Sequence, residues 1–143
     1  MCFLDGTFKT SPRHFTQILV LRTKLGNDVI PVAYAFLEDK TTSSYKQALQ
    51  ESKTAAPLWQ PGGIVLDFEP AELNAVRSIF PDCWKQGCHF HYCQCLMRQF
   101  KKIDGFSVNT VMSEMLNRAY ALPFLPVDEV VSGWLDIKQS LKV

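Results

Sequence analysis

Apolar and polar positions along this chain change period several times, and each change marks an element. Cys2-Phe3-Leu4 runs straight into Asp5, a short apolar strand under way at the first residues, which implies sequence upstream. Thr10-Ser11-Pro12 is a turn. Phe15 to Thr23 and Val29 to Leu37 are rich in β-branched and apolar residues and read as strands, joined by the turn residues Gly26-Asn27-Asp28. Pro31 suits an edge position. Three strands with short connections make an antiparallel meander. The pattern then becomes helical. Ser44-Tyr45-Lys46-Gln47 fits a capping box, and Tyr45, Ala48 and Leu49 share a face. Prolines and glycines between Ala55 and Gly63 break that helix.

Ile64-Val65-Leu66 forms the second apolar run that ends in an aspartate, Asp67. Pro70 opens a helix with Leu73, Val76, Ile79 and Phe80 on one side. Trp84 to Phe90 is extended and passes into a helix with Cys93, Leu96, Met97 and Phe100 at spacing i, i+3, i+4, i+7. Asp104-Gly105 ends it. Val108, Val111, Met112, Met115, Leu116 and Ala119 mark another amphipathic helix. Pro123 and Pro126 interrupt, and a last helix carries Val127, Val130, Val131, Trp134 and Leu141. The order β-β-β-α-β-α-β-α, then helices alone, predicts an α/β fold: a mixed sheet of three antiparallel strands plus two parallel ones, with flanking helices.

The two aspartate-ended strands carry the candidate chemistry. If the fourth strand lies parallel to the first, Asp5 and Asp67 become neighbours at strand carboxyl ends, where open α/β sheets bind ligands. Adjacent carboxylates repel unless a divalent cation sits between them, and oxygen ligands favour Mg²⁺ or Mn²⁺. Two such ions clamp both oxygens of an in-line phosphoryl displacement, and such sites want a third acid. The competing reading has Asp5 opening a turn and Asp67 capping the helix that starts at Pro70.

Composition narrows the setting. The 143 residues suffice for one domain with a core, and a net charge of +1 gives no global basicity. No apolar run reaches the roughly 18 residues of a membrane span, and Met1 to Asp5 lacks the basic and apolar regions of a signal peptide. The five cysteines, an odd number, point to free thiols in a reducing compartment.

Three segments in this order resemble the catalytic domain of Mutator-like element (MULE) transposases: Asp5-Gly6-Thr7-Phe8; Leu66-Asp67-Phe68-Glu69 leading into Ala71 to Pro81; and Gln86-Gly87-Cys88-His89-Phe90-His91 leading into Gln94 to Arg98. The resemblance covers nearly the whole chain. It implies an RNase H-like fold with a DDE triad that cuts transposon ends and joins them to target DNA with Mg²⁺ or Mn²⁺, in the nucleus. Asp5 and Asp67 match the first two triad acids and would be both catalytic and metal ligands. Cys88 and His91 match the family Cys-x-x-His motif. Residues 1–105 would form a partial RNase H-like core and 106–143 the start of an all-α insertion, truncated here. The family's glutamate follows that insertion. The two glutamates after the Cys-x-x-His motif, Glu114 and Glu129, fall on insertion-like segments, so the two-metal site is expected to be incomplete and enzymatic competence is left open. A catalytically inactive, domesticated DNA-binding remnant is the alternative.

The remaining groups are accessory. Cys83, Cys88, His89, His91, Cys93 and Cys95 are too crowded for the paired spacing of a structural zinc, so zinc is not expected, although a small zinc-stabilised interaction module is a third reading. A Cys-His nucleophile pair has no evident orienting partner. Arg98, Lys101 and Lys102 would contact DNA phosphates or simply decorate a helix end, where cations suit the dipole. Lys9, Arg13 and His14 would steer a phosphate backbone toward Asp5. Trp59, Trp84 and Trp134 are expected in packing roles. Homo-oligomers are compatible with the family; a membrane partner is not expected.

Overall fold

The computed structural model describes residues 1–7, 11–103 and 111–140. The chain folds as two compact units, Met1–Cys88 and His89–Val143. In the first unit, β1 (Cys2–Thr7), β2 (Gln17–Leu25) and β3 (Asp28–Leu37) form the expected antiparallel meander. Gly26 takes φ 60 in the tight β2–β3 turn, a left-handed conformation that favours glycine. The β2–β3 register shifts between Leu21 and Arg22, next to Pro31, which has no N–H to give the ladder. That bulge is tolerated because β3 is the sheet edge.

Helix α1 (Thr42–Ala55) begins earlier than the Ser44 box implies. Thr41 is the N-cap and its hydroxyl accepts from the Ser44 N–H, while Asp39 accepts from the Thr41 N–H and from both hydroxyls. The chain then enters β4 (Gly63–Leu66), which lies parallel to β1, and α2 (Pro70–Ile79) leads to β5 (Trp84–Gly87), parallel to β4. The sheet order is β3-β2-β1-β4-β5. This mixed α/β sheet with flanking helices is of RNase H-like form, as expected.

The core lies on one face of the sheet. Cys2, Leu4, Leu19, Leu21, Ile64 and Leu66 meet Tyr45 and Leu49 of α1 and Ala75 and Val76 of α2. Each large apolar side chain buried there contributes about 1.5–3 kcal/mol. Alternation along the strands sends Phe3, Asp5 and Arg22 to the other side of β1 and β2. Trp59 packs edge-on against Phe80, with ring centroids 4.9 Å apart. Trp84 and Trp134 depart from the packing role: both are exposed, Trp84 at a strand with little cover and Trp134 on a short helix.

The second unit contains α3 (His89–Phe100), α4 (Val111–Ala121), a 3-10 turn at Leu122–Phe124 and α5 (Val130–Gln139). Met115, Ala119 and Ile137 form its small core, with Leu96, Phe100 and Leu122 against it. Val127 lies outside α5 and is exposed. Lys9, Thr10, Asp104, Gly105, Val108 and Leu141, and the expected boundary between 105 and 106, lie outside the described residues. No helix among the described residues is long and apolar enough to cross a membrane.

Candidate active site

The parallel pairing of β1 with β4 sets the site. Cys2 pairs with Ile64 and Phe3 with Val65. Asp5 lies two residues beyond Phe3, inside β1, and Asp67 two residues beyond Val65, just past the end of β4. Asp5 is held by Arg22, whose Nη1 donates to Oδ2 at 2.9 Å. Arg22 stands opposite Phe3 in the antiparallel register, so it reaches Asp5 diagonally across the sheet surface. Both side chains are about one-third exposed, which makes this a solvent-screened pair.

Asp67 does not cap α2. The N-cap is Glu69, without a side-chain capping bond, and Asp67 Oδ1 accepts the N–H of Phe68 at 2.7 Å.

The pattern reading passed over Glu72. It sits in the first turn of α2 and is buried, with 3% of its surface exposed. It accepts a hydrogen bond from the backbone N–H of Asp67. Its Oε1 is also buried and has no hydrogen-bond partner. Burial, then the charges of Asp67, Glu69 and Asp5, push its carboxyl from an ordinary 4.5 up to about 8. Beside it, Gln17 Nε2 donates to the Tyr45 hydroxyl at 2.5 Å, and that hydroxyl donates to Glu69 Oε2 at 3.2 Å. Because the single Tyr45 proton goes to Glu69, Gln17 must present its amide N–H to Tyr45, which leaves the buried Gln17 Oε1 without a donor. Burial chiefly, with help from Glu69 and Glu72, raises the Tyr45 hydroxyl above its usual range and keeps it neutral. Lys40 lies 3.7 Å from Glu69. The strand ends are thus surrounded by more acceptors than donors.

The carboxylates here are hard oxygen donors. Among the described residues no three His, Cys, Asp or Glu side chains already converge to hold a metal. The other candidates fall in one unit or the other. Cys88 closes the first unit, its N–H bonded to Leu66 O at 2.8 Å, whereas His91 lies in the first turn of α3 in the second. His89 Nε2 is 2.8 Å from Tyr120 O, and Cys93 Sγ lies 3.5 Å from the same nitrogen. None of the five cysteines is in a disulfide. Arg98 donates to Gln94 and Lys102 to Gln99, and both are exposed at the end of α3, as is Lys101. Glu114 and Glu129 are exposed in the second unit. Arg13 and His14 are exposed, His14 with φ 80.

A three-stranded antiparallel meander continued by two parallel strands, with flanking helices, defines an α/β protein of the RNase H-like class. Within it, the family profile of the MULE transposase domain matches residues 1–95, and the chain belongs to that family. No curated protein matches the chain.

Proposed function

We propose that this chain contributes the first two catalytic acids of a Mutator-like DNA transposase, with Asp5 and Asp67 holding a divalent cation against DNA. The observation that supports the reading is the parallel pairing of β1 with β4, Cys2 with Ile64 and Phe3 with Val65, which leads each strand toward its aspartate two residues on. When bound there, the cation would activate the attacking oxygen and stabilise the leaving oxygen of an in-line displacement at phosphorus. The chain's own residues do the rest. Asp5 and Asp67 fix the charge, the N-terminus of α2 adds partial positive charge beside Asp67, and the buried side chains around Tyr45 hold that corner rigid. Arg98, Lys101 and Lys102 supply sequence-independent phosphate contacts. A DNA substrate implies work in the nucleus, and the family's paired-end chemistry is compatible with a homo-oligomer.

The Arg22–Asp5 pair supports a second reading, a DNA-binding domain without nuclease activity, because the guanidinium already neutralises the first acid. Nicking of supercoiled plasmid in Mn²⁺ separates them. Nicking by the wild type that vanishes in Asp67→Asn supports the transposase reading. Plasmid that is bound but never nicked supports the second.

A further inference from the structure

Along the β3 edge of the sheet, a groove runs between β3 and α1 within the first unit. The residues that face each other across it are small: Ala33 and Ala35 on the strand, Ala48 and Ser52 on the helix. Large side chains would close that seam, and these leave it open. It widens at both ends. One end, about 440 Å³, lies between Phe15, Phe36, Glu38, Asp39, Gln47 and Glu51. The other, about 410 Å³, is walled by Val32, Ala55, Ala56 and Trp59. Ser52 lines both.

The two ends differ in chemistry. Glu38, Asp39 and Glu51 are exposed around the first, and among the described residues no lysine, arginine or histidine lines it. Ser44 and Thr41 donate to Asp39 and hold its carboxyl below the ordinary range, so its charge persists. The Phe15 and Phe36 rings, with centroids 5.4 Å apart, add an aromatic wall that suits a cation. The second end is apolar. β3 also offers its backbone, because it is the sheet edge. Edge strands are usually blunted by charges or proline. Pro31 blunts only the start of β3, and Val32 to Leu37 contains neither. Tyr34, Ala35 and Phe36 alternate between faces, yet all three line the groove, so the outer backbone of the strand forms part of its wall.

We propose that this groove takes an extended peptide segment of a partner protein, added antiparallel to β3, with an arginine or lysine among Glu38, Asp39 and Glu51 and an apolar side chain beside Trp59. In such strand addition the backbone hydrogen bonds supply affinity and the side-chain pockets supply selectivity. Ala33 lines the apolar end and Leu37 the acidic end, and both point to the same face of β3. The antiparallel peptide therefore carries its basic residue first and its apolar residue at the same interval further on. Carboxylates repel nucleic acid, so this surface is separate from the DNA-binding reading and does not depend on it.

The test is fluorescence anisotropy of the whole chain with a labelled threonine–valine peptide carrying one arginine and, at that interval, one leucine. The expected result is saturable binding that weakens at least about tenfold when the arginine is replaced by glutamate, or in Glu51→Lys. Binding should also be lost on N-methylation of alternate peptide amides. Ser52→Leu fills the seam and should abolish binding with the circular dichroism spectrum unchanged. A further measurement needs no variant: in the wild type, backbone amides between Val32 and Leu37 should exchange with solvent more slowly when peptide is bound. Absence of saturable binding, or binding indifferent to the glutamate replacement, overturns the proposal. So does bound peptide that leaves amide exchange in β3 unchanged. Dimerisation of the peptide-free chain that disappears in Ser52→Leu would give the groove to a second copy, and displacement of the peptide by duplex DNA would give it to nucleic acid; either outcome overturns the peptide reading.

Discussion

A buried glutamate makes folding depend on pH in a direction opposite to that of an ordinary salt-bridged acid. Glu72 titrates near 4.5 when unfolded and near 8 when folded, because burial and the neighbouring Asp67, Glu69 and Asp5 oppose its charge. The unfolded chain therefore releases the proton first. The folded state is most favoured below about 4.5, loses ground as pH rises through the window, and levels off above 8. Each pH unit inside that window carries about 1.4 kcal/mol at most, so the total is on the order of a few kcal/mol. Urea unfolding at pH 5 and pH 9 should show wild-type stability falling across the interval, and Glu72→Gln should flatten that slope and be the more stable at pH 9. A wild-type slope that survives the substitution would mean that another group titrates. The sequence held a sign of this residue. Glu72, Ala75, Val76 and Ile79 are spaced i, i+3, i+4, i+7, which puts a carboxyl on the buried stripe of α2. Reading the stripe from Leu73 instead turned the glutamate outward. Arg22 is a different case: its diagonal approach to Asp5 depends on the β1–β2 register, which local pattern does not specify.

The starts of the helices show how far local pattern carries and where it slips. Pro70 opens α2 as its fixed φ and missing N–H require. The cap of α1 lies three residues before the Ser44 box, because Asp39 gathers the Thr41 N–H and the Thr41 and Ser44 hydroxyls and so organises the turn upstream. These same contacts, that with Ser44 first, pull the Asp39 carboxyl below its ordinary range. Thr41→Ala removes the acceptor for the Ser44 N–H and should cost about 1 kcal/mol, read as a lower urea midpoint without a change in slope. Leu49, in the middle of the same helix, is buried in the core. Leu49→Ala should cost about 2–5 kcal/mol, several times the loss at the cap. If the two substitutions cost the same, α1 is held by its cap and not by its packing. Strand direction was legible for a related reason: short turns make β1 to β3 a meander and helical crossovers make β4 and β5 parallel, whereas local pattern left open that β4 would pair with β1.

At the scale of the whole molecule, the proposed reading asks a chain with a net charge of only +1 to bind a polyanion. The acids at the strand ends add to that difficulty, since Asp5, Asp67, Glu69 and Glu72 lie in the same unit and repel phosphate unless a cation offsets them. Affinity must then come from local cations, and Arg98, Lys101 and Lys102 at the end of α3 are exposed, with Arg98 donating to Gln94 and Lys102 to Gln99. Neutral partners leave their charge intact for phosphate. If each contacts one phosphate, replacing all three with alanine should reduce the slope of log affinity against log salt by about 2.7, since each released counterion contributes about 0.9. Fluorescence anisotropy of a labelled duplex across a salt series measures that slope directly. Because these contacts read no base edges, the loss should be the same for duplexes of unrelated sequence. A slope that does not change would return the cluster to the role of a solvated helix end stabilising its own dipole. Adding Mn²⁺ then distinguishes two contributions on one molecule: the cation should raise DNA affinity in the triple variant as in the wild type, but not in Asp67→Asn, because the strand-end acids and the α3 cations act on phosphate independently.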